Sequence, residues 1–215
     1  MKNNEKTTGK FVVIEGIDGA GTTTQSGMLV DWLTSRGLAG ALTSEPSGGP
    51  IGSLLRQILK GRTIARDAGG NARPLHNDAI ALLFAADRMD HLDSEILPLL
   101  AGGVNVVSDR YYHSSFTYQS LKGDLEWIRV LNGHARQPDT TYLLHCTAEE
   151  AGMRMARRRS SSELYEVLET QKRLEVAYRE LAASLSEEVV IIDGTGSIQE
   201  VHRSITSDLS TRFGW

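Results

Sequence analysis

The chain has 215 residues, 40% of them apolar and 23% charged. That is enough apolar side chain for one packed domain and too much for a disordered chain. The 23 basic residues against 27 acidic ones leave a formal net charge of −4, without the basic excess of a nucleic-acid binder. Cys146 is the single cysteine, which excludes an internal disulfide or a cysteine zinc site and fits a cytoplasmic setting; no run of about 18 apolar residues marks a membrane span.

Residues 1–9 are polar and read as a disordered tail ahead of one domain over residues 10–215. Lys10 to Glu15 is an apolar, β-branched run ended by Gly16, which reads as a buried strand. Met28, Leu29, Trp32 and Leu33 recur at helical spacing, and Gly37 closes that helix. Ala39 to Thr43 reads as a second strand. Pro50 opens a helix through Leu54, Leu55 and Ile58. Ile64 to Pro74, with Gly69-Gly70-Asn71, reads as a loop. Asp78 to Leu100 is a long helical pattern with a bend expected near Pro98.

Val104 to Ser108 is a third strand, ending at Asp109-Arg110. Asp124 to Gly133 reads as a short helix. Thr140 to Cys146 is a fourth strand, with Thr147 placed to cap the helix from Ala148. Ser160-Ser161-Ser162, flanked by Arg157-Arg158-Arg159, interrupts two helical runs. Glu163 to Leu185 is a strongly periodic helix, Val189 to Ile192 a fifth strand and Ile198 to Leu209 a last helix. Five strands alternating with helices predict an α/β fold, a parallel sheet covered on both faces.

The sharpest motif is Gly16-Ile17-Asp18-Gly19-Ala20-Gly21-Thr22-Thr23-Thr24. It sits between a predicted strand and a predicted helix, as a phosphate-binding P-loop must. Glycines allow the tight fold that turns successive N–H groups toward phosphate oxygens, and the following helix offers its positive end to the same anion. Thr23 stands where a hydroxyl would ligate Mg²⁺. Thr22, however, occupies the position of the motif's lysine, whose charge normally reaches the transferring phosphoryl group. Lys10 is no substitute, lying about 15–20 Å away at the far end of the strand. The Arg154 to Arg159 segment is the best donor of a replacement charge.

Further motifs accompany the loop: Glu15-Gly16-Ile17-Asp18-Gly19, Glu45-Pro46, Leu82-Leu83-Phe84-Ala85-Ala86-Asp87-Arg88, and Asp109-Arg110-Tyr111-Tyr112-His113-Ser114-Ser115-Phe116-Thr117-Tyr118-Gln119. In this order they resemble thymidylate kinase, especially its archaeal type, from about Phe11 to about Ile205. The resemblance implies a P-loop NTPase fold with a short lid at about residues 154–163. It implies transfer of the γ-phosphoryl of ATP to dTMP with Mg²⁺, giving dTDP and ADP in dTTP biosynthesis. It also implies a homodimer; the charge balance, the lone thiol and the lack of an apolar span are what argue for a cytoplasmic protein with no nucleic-acid or membrane partner.

The residue roles it implies are these. Gly16, Asp18, Gly19, Ala20, Gly21, Thr22, Thr23 and Thr24 would hold ATP. Asp18 would also accept a hydrogen bond from the dTMP 3′-hydroxyl. Phe84 would stack on thymine, Arg88 would donate to a thymine carbonyl, Ser115 would sit near the base edge, and Gln119 would complete the base pocket. Tyr118 would press on C2′ of the sugar, and Glu45 would lie near the acceptor phosphate. Arg110 would hold the acceptor phosphate and the transferring group, Asp109 with Thr23 would serve Mg²⁺, and Arg158 is the lid arginine expected to act.

Taken singly, several of these residues have plainer readings. Phe84 fits a core position, Arg88 a salt-bridged helix face, and Arg157 to Arg159 an exposed helix end. Two departures stand out, Thr22 for the loop lysine and Ser44 for an arginine common before Glu-Pro. They keep open a weak or catalytically silent nucleotide-binding protein; two further rivals stand beside it, a kinase for another deoxynucleotide or nucleoside and a P-loop NTPase that hydrolyses without an acceptor.

Overall fold

The computed structural model describes residues 8–155, 161–185 and 189–215, apart from the side chains of 161–167. The first apolar run forms strand β1 (Phe11–Gly16), buried along its whole length. Val12 and Ile14 pack with Leu29, Tyr142, Leu174 and Ile205 on one face. Phe11 and Val13 pack with Ile96, Val106 and Ile128 on the other. A strand covered on both faces has no polar alternation, so its sequence is an unbroken apolar run.

Helix α1 (Thr22–Ser35) follows the glycine-rich loop, and Gly37 ends it in the left-handed region at φ 75°. Strand β2 (Gly40–Ser44) and helix α2 (Pro50–Leu59), opened by Pro50, come next. The stretch expected as loop contains a small antiparallel hairpin, β3 (Ala65–Arg66) with β4 (Ala72–Arg73). Strands of two residues are too short to show alternation. The turn is held instead by the Asp67 carboxylate, which accepts from the N–H groups of Gly69 and Asn71.

The long helix expected over 78–100 is α3 (Asn77–His91), a π-helical turn (Leu92–Ile96) and α4 (Leu97–Ala101). Pro98 has no N–H to give to the residue four before it, and its ring crowds that carbonyl. The Ser94 hydroxyl also donates to the Asp90 carbonyl at 2.6 Å. The ladder therefore widens ahead of the proline, not at it.

Strand β5 (Asn105–Asp109) leads into α5 (Tyr112–Ser114) and a second π-helical turn (Ser115–Gln119), neither expected from the sequence. Helix α6 (Leu125–Leu131) is capped by Asp124, and strand β6 (Thr140–His145) follows. Thr147 and Glu150 exchange hydrogen bonds at the start of α7 (Ala148–Met155), as the capping expectation had it. Helix α8 (Ser161–Ser184), strand β7 (Val189–Asp193) and helix α9 (Ile198–Phe213) complete the order. Residues 1–7 and half of the expected lid, 156–160 with Arg158 among them, lie outside the described residues. Gly9 donates to the Leu100 carbonyl at 2.9 Å.

The five longer strands form one parallel sheet in the order β2-β5-β1-β6-β7. Helices α1, α8 and α9 supply residues to one core, and α4, α6 and the first π-helical turn to the other. This is the α/β architecture of P-loop NTPases. The chain leaves central β1 for one edge and later fills the other side, so the order reverses at β1. Crevices at the carboxyl ends of strands at such a point bind ligands. Ile14 of β1 pairs with Asp109 of β5, and Asp109 with Ser44 of β2. The glycine-rich loop, Asp109-Arg110 and Ser44-Glu45 therefore share one edge.

Candidate functional site

The glycine-rich side of that edge is backbone. Gly19 and Gly21 have φ of 91° and 102°, where a Cβ is strained. A Cβ on Gly19 would also come within 2.6 Å of the Ala151 carbonyl oxygen, because α7 packs onto the loop. No described side chain caps α1, and its first turn holds no acidic residue. Its leading N–H groups are left to an outside acceptor. Ala20 and Thr22 are buried, while Thr23 and Thr24 are exposed. The Thr23 hydroxyl donates to Asp109 Oδ2 at 2.5 Å. Asp109 Oδ1 is buried without a hydrogen-bond partner. Arg154 of α7 donates to the carbonyls of Gly19 at 3.5 Å and Ala20 at 3.4 Å, and to that of Gly194 at 2.8 Å.

Next to the loop, just past β5, Arg110 takes φ 75°, a left-handed conformation that costs a residue with a Cβ about 1–2 kcal/mol. Its N–H donates to the Ile14 carbonyl at 3.0 Å, and the Ser108 hydroxyl donates to its carbonyl at 2.7 Å. Glu15, buried at the end of β1, accepts from the N–H groups of Tyr111 and Ser114 and from the hydroxyls of Ser114 and Tyr178. The strained turn is thus held from three sides. It aims the guanidinium at Asp18, with Nη2 to Oδ1 at 2.7 Å, over the Tyr118 ring.

The Tyr118 hydroxyl donates to the same oxygen at 3.1 Å, and Gln171 of α8 accepts from the Asp18 N–H at 3.1 Å. Burial lowers the tendency of Arg110 to stay charged, but Tyr118, Tyr178, Asp18 and Glu15 outweigh it and its pKa rises well above the ordinary value. Burial and then the Glu15 charge push the Tyr178 hydroxyl far up, so it remains a neutral donor.

Beside Arg110 a cavity of about 360 Å³ opens, lined among others by Asp18, Glu45, Phe84, Arg88, Tyr118 and Gln119. Arg88, 1% exposed, is fixed in its wall. Its Nη2 donates to Glu45 at 2.5 Å and to the Ser115 hydroxyl at 3.3 Å, and its Nη1 donates to Asn132. A buried guanidinium held this way is stable only because its partners are fixed too. Arg88 Nε and Gln119 Oε1 remain buried and unpartnered.

The structure brings the expected residues to one edge. Asp18, Glu45, Phe84, Arg88, Arg110, Tyr118 and Gln119 line the cavity. Asp109 and Thr23 meet beside the loop that begins at Gly16. Ser115 sits behind Arg88 as its acceptor. Ser44 is exposed on β2, and nearby Arg56 is occupied by the Pro46 and Ser47 carbonyls. Sequence reasoning assigned no role to Glu15, Asn132, Gln171 or Tyr178. Glu15 alone carried a signal, a carboxylate within an otherwise apolar buried strand; the others reach the site from distant segments.

A family model described as thymidylate kinase matches residues 14–205. The chain is 38% identical over 205 residues to a protein of Thermococcus kodakarensis named "Probable thymidylate kinase", covering 95% of this chain and 98% of that one. A protein of the same name from Thermococcus gammatolerans is 39% identical over 198 residues, 92% of this chain and 94% of the relative. A protein of Nitrosospira multiformis named "Thymidylate kinase" is 35% identical over 215 residues, covering 95% and 98%.

Proposed function

The chain belongs to the thymidylate kinase family, and from that premise we propose that the cavity takes dTMP and the glycine-rich loop takes ATP. The γ-phosphoryl passes to the dTMP phosphate, giving dTDP and ADP for dTTP synthesis. Residues 10–215 then act as one nucleoside monophosphate kinase domain with a lid at about 154–163.

The observation that carries this reading is the lining of the cavity, where Phe84, Arg88 and Gln119 sit with Asp18, Arg110 and Tyr118. Thymine offers the complement on one ring edge, a carbonyl oxygen next to an N–H. Arg88 as a donor and the Gln119 amide as donor or acceptor suit that edge, while half-buried Phe84 offers a stacking face. Tyr118 and Asp18 then meet the sugar, Tyr118 against C2′ and Asp18 at the 3′-hydroxyl. Ser115 supports Arg88 near the base edge.

The acceptor phosphate is itself the nucleophile, so the protein has to position it and neutralise charge. Arg110, preset by its turn, does both for the acceptor phosphate and the transferring group, with Glu45 close to that phosphate. The loop from Gly16 to Thr24 holds the donor phosphates through N–H groups of Gly19, Gly21, Thr22 and Thr23.

The Thr23 hydroxyl and the orphaned oxygen of Asp109 form an oxygen set that suits Mg²⁺. Bound there with the phosphates, Mg²⁺ would neutralise charge on the transferring group. Exposed Leu82 and Met89, seven residues apart on α3, and exposed Leu97 support a homodimer seam on that face. No described helix is long and apolar enough to cross a membrane; the proposed site of action is the cytoplasm, the reducing compartment that suits the free thiol of Cys146.

A coupled assay for ADP release tests the activity. Turnover with dTMP should exceed that with dUMP by about tenfold or more, the worth of one methyl group in a fitted pocket, and exceed that with dCMP or thymidine further. Indifference to the 5-methyl group, or ADP release that ignores the acceptor, overturns the reading.

A further inference from the structure

We infer that Arg154 is the positioning cation that takes over from the loop lysine absent at Thr22, gripping the phosphate loop from its outer side. The inference rests on the kinase reading and names the residue through which the loop still works without that lysine. Among the described residues, two guanidinium groups touch the loop. Arg110 is neutralised by Asp18 at 2.7 Å and faces the acceptor cavity. Arg154 has three acceptors, all backbone carbonyls, and no carboxylate partner among the described residues. Its guanidinium is therefore directed at those carbonyls and not held in an ion pair.

The peptide geometry gives that charge a task. A trans peptide points its N–H opposite to its carbonyl. With the Ala20 carbonyl drawn outward to Arg154, the Gly21 N–H points inward, where the donor phosphates would lie. With the Gly19 carbonyl drawn the same way, the Ala20 N–H is left to close the loop's own turn onto the Ile17 carbonyl at 3.0 Å. The third bond, to Gly194, ties the loop to the segment after β7.

Arg154 needs no long reach. It lies one helical turn after Ala151, whose carbonyl already abuts Gly19. A fixed cation behind the carbonyls strengthens the inward N–H dipoles toward an anion. The P-loop lysine would put its charge on the phosphates directly; Arg154 acts on them through the backbone.

The experiment measures equilibrium ATP binding, dTMP binding and steady-state turnover in three variants: Arg154→Met, Arg154→Lys, and Arg154→Met combined with Thr22→Lys. Arg154 is exposed, so its replacement should leave the fold intact. Arg154→Met should weaken ATP binding and lower kcat/KM for ATP by about a hundredfold, in the range of one preorganised donor, while dTMP affinity stays within about twofold. Arg154→Lys keeps charge but loses the fork and should fall between. Adding Thr22→Lys to Arg154→Met should recover about tenfold or more, because an ammonium returns to the loop.

ATP affinity within about threefold of the parent in Arg154→Met, or a double variant no better than Arg154→Met alone, overturns the inference. If the parent binds ATP but phosphorylates no dTMP, the kinase reading fails while the binding comparison still decides the role of Arg154.

Discussion

The two sides of the crevice are built from different materials. The donor side is main chain: two glycines with positive φ, an uncapped helix start, and a cation that touches carbonyls. The acceptor side is side chain: Arg88, Glu45, Asn132, Ser115, Arg110, Asp18 and Tyr118 hold each other in place before any ligand arrives. On the proposed reading, main chain would recognise phosphate, which every nucleotide shares, and fixed side chains one base and one sugar. Selectivity should therefore fail on the acceptor side and affinity for the triphosphate on the donor side, and variants can separate the two.

The largest effect is expected where the sides meet. Arg110→Ala should cut phosphoryl transfer by about 10³-fold or more, as loss of a transition-state cation does, while thymidine binding persists. Unchanged transfer in a single-turnover assay would remove Arg110 from the mechanism.

Next is Arg88→Met on the acceptor side. It leaves Glu45 buried beside His91 without its strong partner, so stability in urea should fall by about 3–5 kcal/mol. KM for dTMP should rise at least tenfold while KM for ATP holds. Equal rises in both would show that the two sides are not independent.

On the donor side Gly19→Ala places a methyl group against the Ala151 carbonyl in a strained conformation. It should cost about 1–3 kcal/mol in stability and raise KM for ATP, with KM for dTMP unaltered.

The smallest effect is a control far from both. Asp139 lies near the start of β1 and accepts from the Phe11 N–H, Arg136 and Lys10. Burial alone would raise its pKa; the Phe11 N–H and the Arg136 and Lys10 charges outweigh burial and lower it. A lowered folded-state pKa means stability present above the unfolded value and lost as pH falls through the folded one. Asp139→Asn should cost about 1 kcal/mol at neutral pH. The gap to the parent should close as pH drops below about 4, the range where an unfolded Asp protonates. Neither KM should move.

Much of this arrangement is legible in the chain itself. The β1 run, the glycine spacing and the Asp109-Arg110 strand end each follow a local rule: two-sided burial, a turn that requires positive φ, a parallel strand meeting the ligand edge. The hairpin at 65–73 and the turn at 112–119 were not legible, because strands of two residues and helical turns of three to five carry neither an apolar run nor a helical period. The widened turn before Pro98 shows the limit of a known rule. Proline announces a break, while the neighbouring serine and the packing of Leu92 and Ile96 set its place.

The sequence by itself determined the alternation of strand and helix, the phosphate loop and the loss of its lysine, since each is written in consecutive residues and their backbone preferences. Only the tertiary structure decided which cation touches the loop and which side chains surround Arg88. Arg154 reaches the loop across about 135 positions of chain, and Glu45 and Asn132 reach Arg88 from either side of it in sequence. Hydrogen bonds and charge act through space, and which side chains share that space is fixed by how the sheet is wound, not by any local pattern.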